Sequence, residues 1–125
     1  MNENEIAKII VDKAFKIHKT LGPGLLESVY EELLNYELTK QGLIVLRQSP
    51  IPVIYEGKKI ELGFRADLIV ENKVIIEIKS VEVIAPVHHK QLLTYLKITG
   101  LKLGLLINFN QTIIKTGIHR IVNNL

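Results

Sequence analysis

Apolar residues recur every three or four positions at the start of the chain: Ile6, Ile10, Ala14, Ile17 and Leu21. That spacing predicts one buried face of a helix over residues 5–21. Gly22-Pro23-Gly24 breaks it, because proline cannot continue a helix and glycine relaxes the turn. A second helix is predicted over residues 25–40, with Leu26, Val29, Leu33 and Leu34 inward and Gly42 as its stop. The period then shortens. LIVLRQ, IPVIY and KKIELGF are β-branched segments separated by Pro50, Pro52 and Gly57, which predicts short strands of an antiparallel meander. RADLIV and VIIEIK follow as a hairpin across Glu71-Asn72-Lys73. A third helix is predicted over residues 86–98, with Pro86 near its first turn and Gly100 past its end. KLGLLINF reads as a strand covered on both faces. Residues 112–125 read as a short strand and then a helical turn. This order predicts an α/β (α+β) sandwich with one mixed central sheet.

Three charges interrupt the hairpin. Asp67, Glu77 and Lys79 are set into FRADLIVENKVIIEIKS, where ionic groups are costly to bury unless paired, hydrogen-bonded or holding a metal. Strand alternation puts Glu77 and Lys79 on one side. If Val70 pairs with Val74 around a three-residue loop, Asp67 lies opposite Glu77; a two-residue loop would set it opposite Ile78 on the other face. The first register gathers the charges and is the one expected. Two carboxylates about 5 Å apart at Cβ repel, which raises a pKa or calls for a cation between them. Lys79 could neutralise one of them. A divalent ion could serve both, and hard oxygen ligands suit Mg²⁺, with Mn²⁺ as a substitute. The chemistry that follows is metal-assisted hydrolysis, with Lys79 orienting water. A solvated ion-pair face is the alternative for the same residues.

Bulk properties narrow the partners. With 125 residues, 47% of them hydrophobic and 23% charged, the chain has the size and balance of one compact domain over residues 1–125. No apolar run approaches the roughly 20 residues of a membrane span. The polar start MNENEIAK does not resemble a secretion signal, and a cytoplasmic location is expected. The absence of cysteine excludes thiolate chemistry and disulfides. The net charge of +3 leans only slightly toward polyanions. Lysines are scattered and aromatics few, so nucleic acid would be held through phosphates rather than by base stacking.

The segment GPGLLESVYE contains Gly24, Glu27 and Tyr30 in a G-x-x-E-x-x-Y spacing. It resembles the GxxExxY family, placed within the PD-(D/E)XK nuclease superfamily. The resemblance continues through RADLIV, VIIEIKS and HHKQLLTYLKITGLKLGLLINF, nearly the whole chain in order. It implies a restriction-endonuclease-like sheet flanked by helices, with a metal site at a bent strand pair. Asp67 and Glu77 match the superfamily's metal-binding acids and Lys79 matches its lysine; separately, the Ile78 carbonyl is expected to help the two acids hold the metal. Glu27 matches an acid on an N-terminal helix facing the metal, and Gln91 a polar position near the site. Ala66 stands where the motif's name has proline, a residue that supplies no ligand.

Other readings stay open beside these. Glu27 would be the third helical residue if Gly24 is the N-cap, an acid that suits the helix dipole. Tyr30 is expected to pack while its hydroxyl finds a polar partner. His88, Gln91 and Tyr95 form one stripe of the third helix, bordering either the site or solvent. His18 reads as a satisfied core-edge histidine and His89 as exposed. The leading expectation is a Mg²⁺-dependent phosphodiesterase acting on nucleic acid, working as a homodimer. The alternative is a non-enzymatic interaction or nucleic-acid-binding module on the same scaffold.

Overall fold

The computed structural model describes residues 1–125, the side chain of Leu62 excepted. The elements are α1 (Glu3–Leu21), α2 (Glu27–Lys40), β1 (Val45–Tyr55), β2 (Lys58–Val70), β3 (Val74–Lys79), α3 (Pro86–Thr99), β4 (Leu103–Asn108), a 3₁₀ turn (Ile114–Gly117) and β5 (Ile118–Val122). The strands form one five-stranded sheet in sequence order, antiparallel except for the β3–β4 pair. That parallel pair needs a crossover, and α3 supplies it. The result is the expected α+β arrangement of a mixed sheet flanked by helices.

Both faces of the sheet are covered. Ile6, Ile10 and Ala14 of α1 and Tyr30, Leu34 and Leu38 of α2 pack on Leu68, Val70, Ile76, Ile78 and Leu105. On the opposite face, Leu92, Tyr95 and Leu96 of α3 pack on Ile51, Ala66, Ile69, Ile75 and Leu106. Every residue of β4 is therefore buried, as its unbroken apolar run requires. Among the described residues, no helix is long and apolar enough to cross a membrane.

Several expectations are corrected. The segments separated by Pro50 and Pro52 are one strand, β1, and those after Gly57 are a second, β2. Proline is tolerated there because β1 is the edge of the sheet and lacks a neighbour on one side. The ladder shifts register between Ile51 and Val53, at Pro52. The tail has the reverse order, a 3₁₀ turn before a strand. Helix α2 starts at Glu27 with Leu26 as N-cap, so Glu27 is its first residue rather than its third. Leu26 and Val29, expected inward, are exposed: Leu26 precedes the helix as its N-cap, and Val29 lies off the row of Tyr30, Leu34 and Leu38 that carries the contact.

Candidate active site

The hairpin has the register that gathers its acids. Val70 pairs with Val74, Ile69 with Ile75 and Leu68 with Ile76. Glu71 and Asn72, at φ 53° and 52°, make the turn between the strands. One step further, where Asp67 would pair with Glu77, the backbone ladder gives way to side chains. The Asp67 N–H donates to Glu77 Oε2 at 3.2 Å, and the Ile78 N–H donates to Asp67 Oδ2 at 2.8 Å. The strands diverge at this point, and carboxylates occupy the places that backbone carbonyls would otherwise hold.

Neighbouring strand β1 explains where Asp67 points. The register Arg47–Leu68 and Ser49–Ala66 sets Gln48 opposite Asp67. Gln48 has φ 47°, a left-handed conformation that interrupts strand alternation. Arg47 and Gln48 consequently both reach α2, donating to Glu31 Oε2 at 3.2 Å and Oε1 at 2.6 Å. The exchange of faces is visible in the cores: Leu68 packs under α1 and α2, whereas Ala66 packs under α3. Asp67 emerges on the α2 side, into a hollow of about 370 Å³ lined by Glu27, Ser28, Glu31, Gln48, Asp67 and Ile78.

Glu77 is buried, and its carboxyl is pushed up to about 9. Burial is the main cause, the charge and hydrogen bonding of Asp67 add to it, and Lys79 opposes it. At neutral pH Glu77 therefore holds a proton. The same charges reach α3. The Tyr95 hydroxyl is pushed up to about 12 by burial and then by Glu77 and Asp67. His88 is held below its ordinary value by burial and by Lys79, with Glu27 acting in the other direction. His88 Nδ1 is buried with no hydrogen-bond partner among the described residues.

Glu27 joins the site through the end of β3. Its Oε2 accepts from the Ser80 N–H at 3.1 Å, while the Ser80 hydroxyl donates to the Leu25 carbonyl at 2.6 Å. Tyr30, one turn later, is structural. It is fully buried, its ring stacks on Phe109 at 4.4 Å, and its hydroxyl donates to the Gly22 carbonyl and accepts from the Leu25 N–H. These bonds fold the Gly22–Gly24 turn against α2 and so fix where Glu27 starts.

Asp67, Glu77, Ile78 and Glu27 are thus assembled around the diverging strands, and Lys79 lies within electrostatic reach of Glu77. Gln91 lies half-buried on α3, and no hydrogen bond ties it to the carboxylates among the described residues. His18 is buried, with Nε2 2.7 Å from the Gln111 carbonyl. His89, expected exposed, is half-buried edge-on against His119 at 4.9 Å. Glu31, Gln48 and Asn108 were not anticipated. The spacing of Glu27 and Glu31, four residues apart on one helix face, was the available signal for Glu31. Asn108 is fully buried and clamps the loop after β3. Its Oδ1 accepts from the Val81 N–H and its Nδ2 donates to the Val81 carbonyl.

Among the described residues, no three His, Asp or Glu side chains are grouped closely enough to enclose a metal ion by themselves. Mg²⁺ does not need such a cage, since it is commonly held by one or two carboxylates with water and substrate phosphate completing the shell. Two coupled carboxyls, one still protonated, fit that donor set.

Neither the curated proteins nor the solved structures gave a match. The model of the PD-(D/E)XK nuclease superfamily matches residues 4–121, which take in both diverging strands and all three helices. On that match the chain belongs to the PD-(D/E)XK nuclease superfamily.

Proposed function

We infer that the protein is a divalent-metal-dependent phosphodiester hydrolase acting on nucleic acid. The observation that carries this reading is the Asp67–Glu77 pair, two carboxyls brought together by reciprocal main-chain bonds, with burial and then Asp67 raising the value of Glu77. Asp67, Glu77 and the Ile78 carbonyl would hold Mg²⁺ or Mn²⁺, with Glu27 completing the shell directly or through water. When bound, such an ion supplies Lewis acidity toward a phosphoryl oxygen and makes water more acidic. Lys79 orients the attacking water and steadies negative charge developing on the phosphate. Gln48 and the Ile78 N–H fix the Asp67 carboxylate, and Arg47 neutralises Glu31 and Glu32 beside it. The G-x-x-E-x-x-Y spacing supports placing the chain in the GxxExxY branch of the superfamily.

A second reading, a binding module that performs no hydrolysis, is favoured by one observation. Both Asp67 oxygens already accept hydrogen bonds, from Gln48 and from the Ile78 N–H. One panel separates the two. DNA and RNA, single-stranded, duplex and branched, are incubated with Mg²⁺ or Mn²⁺ and wild-type, Asp67→Ala or Lys79→Ala protein. Hydrolysis requires cutting of at least one substrate by wild type alone, with both variants folded. Binding without cutting, unchanged in Lys79→Ala, establishes the module.

A further inference from the structure

The exchange of faces at Gln48 and Asp67 has an effect beyond the carboxylates. Past that point β1 and β2 continue as a two-stranded ribbon to Tyr55 and Lys58. On the side facing α2, strand alternation lines up Gln48 and Pro50 on β1 with Asp67, Arg65 and Gly63 on β2. The other side carries Ile51, Ala66 and Phe64 toward α3, with Phe64 tilted on Tyr95 at 5.0 Å. Arg65 therefore stands one two-residue step, about 6.7 Å, along the same row as Asp67. That step is comparable to the separation of adjacent phosphates along one nucleic-acid strand.

The row opens into a second hollow, of about 440 Å³, lined by Pro50, Pro52, Lys59, Glu61, Gly63, Phe64 and Arg65. Its shape comes from the break in the ladder, where a single residue of β1 between Ile51 and Val53 faces three of β2. Gly63 is required there, because a Cβ would sit 2.5 Å from the Ile51 carbonyl oxygen. The charges are arranged for an anion. Among the described residues Arg65 makes no ion pair, while Arg47, nearer the acids, is committed to Glu31 and Glu32. Lys59 is paired only with exposed Glu61, at 3.6 Å, a contact of the kind that exchanges readily. Pro50 and Pro52 lack the N–H groups that another strand would need, which disfavours a second copy pairing along this edge.

We propose that this ribbon face is a phosphate track: Arg65 and Lys59 hold the backbone of the nucleic acid beside the phosphate presented to Asp67 and Glu77. The proposal rests on the nuclease reading above and deepens it. Arg65 and Lys59 are positioning residues, because neither touches the reacting phosphate.

The test is fluorescence anisotropy with fluorescein-labelled single-stranded and duplex DNA and RNA, in Ca²⁺, over a series of salt concentrations. Arg65→Gln and Lys59→Gln are compared with Lys8→Gln, which lies beside β5 at the far edge of the sheet. Arg65→Gln should weaken binding of every bound probe roughly tenfold and lower the slope of log affinity against log salt by about one. Lys59→Gln should act in the same direction and Lys8→Gln should change nothing, with all melting temperatures near wild type. Wild-type binding that Arg65→Gln leaves unmoved overturns the track and spares the nuclease reading. A wild type that neither binds nor cuts any probe overturns both.

Discussion

The backbone N–H of Asp67 donates to the Glu77 carboxylate at 3.2 Å, so the strand that supplies one acid also holds the other. The partner strand does the same in return through the Ile78 N–H and Asp67 Oδ2. Each carboxyl group is fixed by a main-chain N–H of the other's strand, which brings two acids together in a site where burial disfavours charge.

The coupling predicts a pH dependence of stability in metal-free protein. Glu77 has a folded-state value of about 9 against an ordinary 4.5, so the folded protein retains a proton that the unfolded chain releases. Its contribution is complete below about 4.5 and is lost as pH rises toward about 9. Thermal melts in EDTA should show melting temperature falling across that window. Glu77→Gln, which cannot ionise, should flatten the fall; an equally steep fall in the variant assigns it to other groups.

Gln48 holds Glu31 and Asp67 together from a left-handed backbone conformation. Gln48→Gly keeps that conformation available and removes only the side chain. Stability should stay within about 1 kcal/mol of wild type, while Mn²⁺ affinity or cleavage falls roughly tenfold or more, as when an outer-shell partner is lost. Calorimetric titration and chemical denaturation on the same samples check both halves.

Tyr30 connects the helix carrying Glu27 to the turn before it. Tyr30→Phe keeps the stacking on Phe109 but strips a partner from the Gly22 carbonyl and the Leu25 N–H. A loss of about 1–3 kcal/mol in urea unfolding is expected. Any cleavage activity should persist well below the melting point. Abolished activity in folded protein would make Tyr30 more than structural.

The helices and the hairpin register were legible because both follow from local rules. Spacing gave Ile6, Ile10, Ala14 and Ile17 as the buried face of α1, although Leu21 at the end of that face is exposed. A three-residue loop set the register that brings Asp67 beside Glu77. β1 was not legible as one strand. Pro50 and Pro52 break strands in general, and only the order of strands in the folded sheet makes β1 an edge. The inward face of α2 was misjudged because Leu26 and Val29 match the apolar period, yet Leu26 is the N-cap and the packed row is Tyr30, Leu34 and Leu38. Gln48 left no trace, since glutamine has no special preference for positive φ. Its partner Glu31 is seventeen residues away in sequence. The acids that share one strand pair could be found from pattern; those brought together by a change of face could not.

The most direct test is the proton count on metal binding. Mn²⁺ is titrated calorimetrically into wild-type protein and Glu77→Gln at neutral pH, in two buffers of different ionisation enthalpy. If the ion replaces the proton held by Glu77, wild type releases about one proton per bound ion and the variant releases essentially none. Tight binding with no release from wild type, or equal release from both proteins, would contradict the shared site.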